Sequence, residues 1–212
     1  VAREAMALTL AGLVSGRSEG PSSGTDLMGQ IDLIIGSGDV LARAGSPARA
    51  ALMLLDALQP VGICELALDR VGLLATTGAV ARLDPRAAAE VAEQDTLLPL
   101  APVVAVAGDA RPGQLALTCK ILHQDGRAFD MEVPSGSVQV IPLGASETVE
   151  LELCPSPGFH LGSKHKGCPV TVEVKSGVLG LIVDARGRPL RRADAPRESQ
   201  ARMRRWLADM GA

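Results

Sequence analysis

Aromatic residues are nearly missing from this chain: two Phe, one Trp and no Tyr among 212 residues. Proteins that bind single-stranded nucleic acid stack its bases on aromatic rings, and Phe129, Phe159 and Trp206, far apart in the chain, do not make such a platform. Surplus positive charge is missing too. The net charge is -3, so long-range attraction to nucleic acid or to an anionic membrane is not expected. Hydrophobic residues make up 47% of the chain, yet no unbroken apolar run is long enough to span a bilayer. A soluble chain with a real core is expected. Cysteine is sparse: Cys64, Cys119, Cys154 and Cys168 lie far apart, with no leader-like stretch before them. Reduced thiols in the cytoplasm are the expectation.

What is present falls into two grammars. In the first half, residues 1–15 place Ala2, Met6, Leu10 and Leu13 on one helical face. The chain enters this periodicity directly at Val1, the pattern expected of a piece of a longer protein. Ile31–Ile35 is a short apolar run that ends in glycine, as a strand buried on both faces of a parallel sheet would. Ser46-Pro47 and Asp84-Pro85 are each a cap followed by a proline at the first helical position. "GICELALD" reads as a strand, the following "RVGLLATTGAVARL" as a turn region, and "LLPLAPVVAVAG" as a last apolar segment. Alternating strands and helices predict an α/β unit over residues 1–107.

Beyond it the pattern changes to short strands: "LALTCKIL", "AFDMEV", "SVQVIPL", "TVELELC", "VTVEV" and "VLGLIVDA". "HQDGR" between the first two reads as a hairpin turn. "TVELEL" and "VTVEV" alternate apolar and polar, as half-buried strands do. The composition predicts a small all-β sandwich or barrel, followed by a terminal helix with Met203, Trp206, Leu207 and Met210 on one face. The fold class expected is therefore α/β followed by all-β, with the boundary at 107/108 and the second unit running over 108–212.

The strand at Ile31–Ile35 runs into Gly36-Ser37-Gly38. Glycine lacks a Cβ, so the backbone there can approach a ligand, and open α/β sheets bind ligands at the carboxyl ends of their strands. It is not a P-loop, because no Lys-Ser/Thr follows, and the third glycine of the dinucleotide fingerprint is missing. By itself the loop reads first as a plain strand-to-helix turn, with a ligand edge as the alternative.

The stretch "IDLIIGSGDVLARAGSPARAALMLLDALQPVGICELALDR" resembles the glutamate mutase L (MutL) family. The likeness continues, in order, through "LDPRAAAEV", "LLPLAPVVAVAG", "VPSGSVQVIPL", "LELCPSPGF", "LGLIVDARGRPL" and "MRRWLADMG". That family accompanies adenosylcobalamin-dependent mutases and resembles the actin/hexokinase/Hsp70-type ATPases, whose two lobes close on ATP. The resemblance implies that Gly36, Ser37 and Gly38 match the strand–glycine–helix element beside adenosine. Asp39 departs from the pattern, which has glycine there. No "Asp-x-Gly-Ser/Thr" phosphate loop is found, so the resemblance implies only the adenosine half of a site. It also implies ATP or ADP as ligand of the full-length protein, none bound to this piece alone, and a first lobe and mutase subunits as partners. No catalytic residue is assigned, and no turnover by this chain alone is expected. A scaffold or protein-binding module of a mutase complex is the alternative. A cobalamin-binding mutase subunit is disfavoured, because its Asp-x-His-x-x-Gly pattern is absent.

Two further groups stand out. Cys154, His160, His165 and Cys168 carry zinc-ligand chemistry, but without a C-x-x-C pair they read as a loop of the β unit and no metal is expected. Arg186, Arg188, Arg191 and Arg192 read as a solvated strand edge and linker. On the last helix, Arg202, Arg204 and Arg205 flank Trp206, either as water-facing charge or as a docking helix. Asp32 and Asp84 read as turn and cap residues.

Overall fold

In the computed structural model, residues 4–9, 31–108, 111–162, 168–190 and 196–211 are described. Residues 4–9 are helical, and Met6 packs on the core; Ala2, Leu10 and Leu13 of the expected stripe lie outside the described residues.

The first half begins with β1 (Leu33–Ser37) and a short helix, α1 (Asp39–Ala42), followed by α2 (Pro47–Leu58) and β2 (Gly62–Asp69). Ser46 caps α2, its hydroxyl accepting from Arg49 N at 3.2 Å. Pro47 sits where an amide would have no helical partner. Gln59 then takes a left-handed conformation, φ 48°, and stops the helix ahead of Pro60. The cap's loss is predicted to be modest: Ser46→Ala should cost about 1 kcal/mol in urea unfolding. α3 (Leu74–Val80) occupies "LATTGAV", which was expected to be a turn region. Its start is held by the carboxylate of Asp69, four and five residues back, in place of a capping side chain at Leu73 itself. α4 (Pro85–Val91) is capped as expected, Asp84 accepting from Arg86 N and Ala87 N at 3.1 and 3.0 Å.

Nine further strands follow. β3 (Leu97–Ala105) and β4 (Ala107–Gly108) precede the hairpin of β5 (Leu115–His123) and β6 (Ala128–Pro134). Then come β7 (Val138–Ile141), β8 (Thr148–Pro155), β9 (Phe159–His160), β10 (Val170–Lys175) and β11 (Leu181–Asp184), and last the helix α5 (Pro196–Asp209). The strands expected from sequence in this half are all present. Among the described residues no helix is long and apolar enough to cross a membrane.

The division at 107/108 does not hold. A five-stranded sheet has the order β1-β2-β3-β11-β7, so two strands from beyond the boundary complete the sheet begun before it. β11 lies parallel to β3, with Ile182 opposite Val103, and β7 lies antiparallel to β11. The second sheet has four strands in the order β10-β8-β5-β6. Side chains on the shared sheet point alternately to its two faces. Val103, Ala105 and Ile182 join a core with α2 and with Met203, Trp206 and Leu207 of α5. Val104, Leu181 and Val183 join the second core, under the four-stranded sheet, with Leu151 and Ile121. The molecule is thus layered: helices, a shared sheet, then a second sheet. The physical reason is β11. "LIVD" is buried at every position and needs apolar neighbours on both faces, which an all-β unit standing alone would not supply. Gly108 at the supposed seam bridges both Phe159 and Arg188.

The cysteines also depart from expectation. Cys154 and Cys168 are joined as a disulfide, with Cα atoms 4.9 Å apart, a normal bridging separation. Cys64 and Cys119 are free and buried, and burial pushes each thiol up to about 12. The native protein near pH 8 is therefore predicted to show no fast-reacting thiol. Denaturation without reductant should expose two thiols, and denaturation with reductant four; four without reductant would rule the bridge out.

Candidate functional site

β1 and β2 run parallel and end side by side, Gly36 opposite Leu68 and Ser37 opposite Asp69. This is the edge at which parallel sheets offer backbone to ligands. β1 is the last strand on its side of the sheet, and its burial alternates. The expectation of a strand buried on both faces is corrected here: Leu33 and Ile35 face away from the core and are exposed.

The four residues singled out by sequence have different roles. Gly36 is buried, and a Cβ there would meet Leu41 Cδ1 at 2.9 Å and Leu54 Cδ1 at 3.0 Å. Its absent side chain is explained by packing of α1 and α2 on the strand. Ser37 donates its hydroxyl to Asp69 Oδ2 at 3.1 Å. Gly38 has φ 98°, which side chains avoid, and among the described residues nothing lies within 4 Å of where its Cβ would be. Its carbonyl accepts from Leu41 N and Ala42 N and starts α1. Asp39 is exposed and approaches Arg43 at 3.4 Å; such a pair in water stabilises little. Gly38 is thus exposed backbone at the end of β1.

Asp69 was not among the residues picked from sequence, yet it organises this edge. It is 1% exposed. Its carboxylate accepts from Leu73 N, Leu74 N and Ser37 Oγ, each at 3.1 Å. Burial pushes its pKa up, but the amide bonds, led by Leu74, and the Ser37 hydroxyl outweigh this and hold it below the usual carboxylate value. Asp69 ties the loop after β1 to the loop after β2. A terminal Asp on a buried strand, followed two residues on by Val71-Gly72, is the signal in the sequence.

Beside this edge lies a hollow of about 270 Å³, walled by Leu41, Arg43, Ser46, Leu68, Arg70 and Leu98. Leu41 and Leu68 in its lining are buried, and Arg43 and Arg70 are exposed.

At the other end of the sheet the basic run has a different fate from the one expected. Arg186 and Arg188 are buried, not solvated; Arg191 and Arg192 lie outside the described residues. Asp184, fully buried at the end of β11, accepts from Arg186 Nη2 at 2.7 Å and from Arg188 Nη2 at 2.6 Å. Arg186 Nη1 also donates to Asp56 of α2 at 2.6 Å, and Arg188 Nε donates to Pro60 O at 3.1 Å. The Arg186 guanidinium lies 4.7 Å from the centre of the Trp206 ring. Burial alone would raise Asp184, but the charges and hydrogen bonds of Arg186 and Arg188 hold it far below its ordinary value, and Arg186 is pushed up in turn. Two arginines with two aspartates bond β11, α2 and α5 together. The signal was the D-x-R-x-R spacing after an apolar strand.

Cys154 and Cys168 are occupied by each other, His160 Nδ1 accepts from Gly162 N at 3.1 Å, and His165 lies outside the described residues. Among the described residues, no three His, Cys, Asp or Glu side chains converge as metal ligands would.

A family model described as MutL protein matches residues 7–96. The match contains β1, α1, α2, β2, α3 and α4, hence the whole Gly38–Asp69 edge. No curated protein and no solved structure matches the chain.

Proposed function

Over residues 7–96 this chain is a member of the MutL family, the glutamate mutase L proteins, and from that premise we propose that it serves as a mutase accessory protein that holds the adenosine side of an adenine nucleotide. The observation that carries this reading is the edge at Ser37–Asp69. Two parallel strands end together, Gly38 leaves backbone uncovered at positive φ, and a hollow lined by leucines and by Arg43 and Arg70 adjoins it. An adenine ring suits the apolar wall, and the arginines suit the anionic end of the nucleotide. Arg43 also offsets the Asp39 carboxylate, so the acid at the glycine position does not repel phosphate alone.

In the full-length protein, the reading adds an actin-like arrangement with a second lobe that supplies phosphate and Mg²⁺ contacts. ATP would bind the closed arrangement more tightly than the open one, and that difference is what can drive work on a cobalamin-dependent mutase. No residue of this chain is given a catalytic role. Phosphoryl transfer needs positioned charge on the transferring group, and adenosine contacts stabilise ground and transition states alike.

Isothermal titration of ATP and ADP into the full-length protein and into this chain tests the proposal. The expected result is clear binding by the former, weak binding and no turnover by the latter. A second reading, a scaffold without nucleotide chemistry, draws on Gly36, whose place is accounted for by packing against Leu41 and Leu54. Absence of ATP and ADP binding by the full-length protein would select it.

A further inference from the structure

β3 and β11 are also a parallel pair, and their carboxyl ends point away from the Gly38 edge, because β3 runs antiparallel to β2. A cavity of about 450 Å³ opens at these ends, within the range of small-ligand sites. One wall comes from the chain after β3 and β11, with Gly108, Arg186 and Arg188. The other comes from α5, with Arg202, Arg205 and Trp206. Among the described residues, every ionisable residue on the cavity wall is an arginine.

The carboxylates that balance this charge sit behind the wall. Asp184 and Asp56 are buried, and they take the donors of Arg186 and one donor of Arg188. That inner network of two cations and two anions is neutral by formal charge. Arg202, which has an interaction of its own, and Arg205 line the mouth. Arg205 approaches Asp209 at 3.8 Å, and 76% of its side chain remains in solvent. Arginines one helical turn apart on α5 can converge on one oxyanion. Apolar surface from Pro112, Pro189 and Leu190 lines the same space.

We propose that this cavity binds a small organic oxyanion, a phosphate monoester or a carboxylate with a flat or apolar body. The oxyanion is held by Arg202 and Arg205, and the body lies against the prolines. Arg186 and Arg188, neutralised by Asp184 and Asp56, hold the wall in shape. The site is distinct from the nucleotide edge, since the two lie at opposite ends of the shared sheet.

Trp206 is the sole tryptophan and lines the cavity, so its fluorescence reports the site directly. The chain is titrated with phenyl phosphate, benzoate and inorganic phosphate at constant ionic strength, with phenol as the uncharged control. The expected result is a saturable change with phenyl phosphate or benzoate and none with phenol; the tighter of the two identifies the oxyanion class. Arg205→Gln, an exposed position that leaves the fold intact, should weaken binding about tenfold or more, as loss of a charge-assisted bond does. Arg202→Gln should do the same, with calorimetry as a second readout because this residue lies 5.9 Å from the Trp206 ring. No saturable response to either organic anion would overturn the proposal. So would equal affinity in the wild type and Arg205→Gln.

Discussion

Arg186→Met will unfold at markedly lower urea concentration than the wild type, with a loss of about 3–5 kcal/mol. The Arg186 side chain is fully buried and bridges Asp184 of β11 to Asp56 of α2. Methionine restores volume but no charge. Asp184 keeps Arg188, whereas the Asp56 carboxylate loses a 2.6 Å bond that crosses from the helical layer to the sheet. Removing one cation from a buried network leaves its carboxylates under-compensated, which costs far more than the intact network stabilises. In a chain of this size the melting temperature should fall by roughly 10 °C. Trp206 loses the guanidinium over its ring, so its emission should shift in the folded state.

The pH dependence follows from Asp184. Its folded pKa lies below its ordinary value. The stability it contributes is therefore present above about pH 4, the usual aspartate value, and is lost as pH falls toward the lower folded value. Once Asp184 is protonated it has little need of Arg186. The difference between wild type and Arg186→Met should therefore narrow on acidification below about pH 4. A difference that stays constant down to pH 2 would show that packing, not charge, sets the loss.

The second large effect concerns the glycine loop. Gly36→Val is expected to lose about 1–3 kcal/mol of stability through overpacking, because its side chain enters the space of Leu41 and Leu54, both in the core. Gly38→Val meets no other described residue at its Cβ, but φ 98° with ψ 159° is a conformation essentially confined to glycine, so a backbone cost of about 1–3 kcal/mol is expected. If nucleotide meets the backbone at this edge, Gly38→Val in the full-length protein should weaken ADP binding tenfold or more while the fold stays cooperative. Gly36→Val should lower stability and binding together. Unchanged ADP affinity in Gly38→Val would place the ligand elsewhere.

Much of the local structure was legible in the sequence because it depends on neighbours in the chain. Ser46-Pro47 and Asp84-Pro85 start helices where their amide-accepting side chains require. "TVELEL" and "VTVEV" pair as alternation dictates, Leu151 opposite Val172. "HQDGR" closes the hairpin, with Gly126 at φ 86°. The stripe of Met203, Trp206, Leu207 and Met210 is the face that α5 buries. The step from β1 through Gly38 into α1 was legible because a strand that ends in glycine is a local pattern.

Tertiary structure alone decided what lies far apart. Nothing local in "SVQVI" or "GLIVD" says which sheet they join, since apolar strands fit either; β7 and β11 complete the first sheet because that buries both faces of β11. The same choice removed the boundary at 107/108 and placed Asp184 next to Arg186, Arg188 and Asp56, which is 128 residues away from it in the chain. Burial of the arginines followed from that meeting, because a guanidinium can leave water only where carboxylates receive it. The partnership of Cys154 with Cys168 likewise depends on the approach of their backbones. Residue types and spacing determined the elements and their caps in this protein; the order of strands in the shared sheet determined which charges meet, and with them the second cavity.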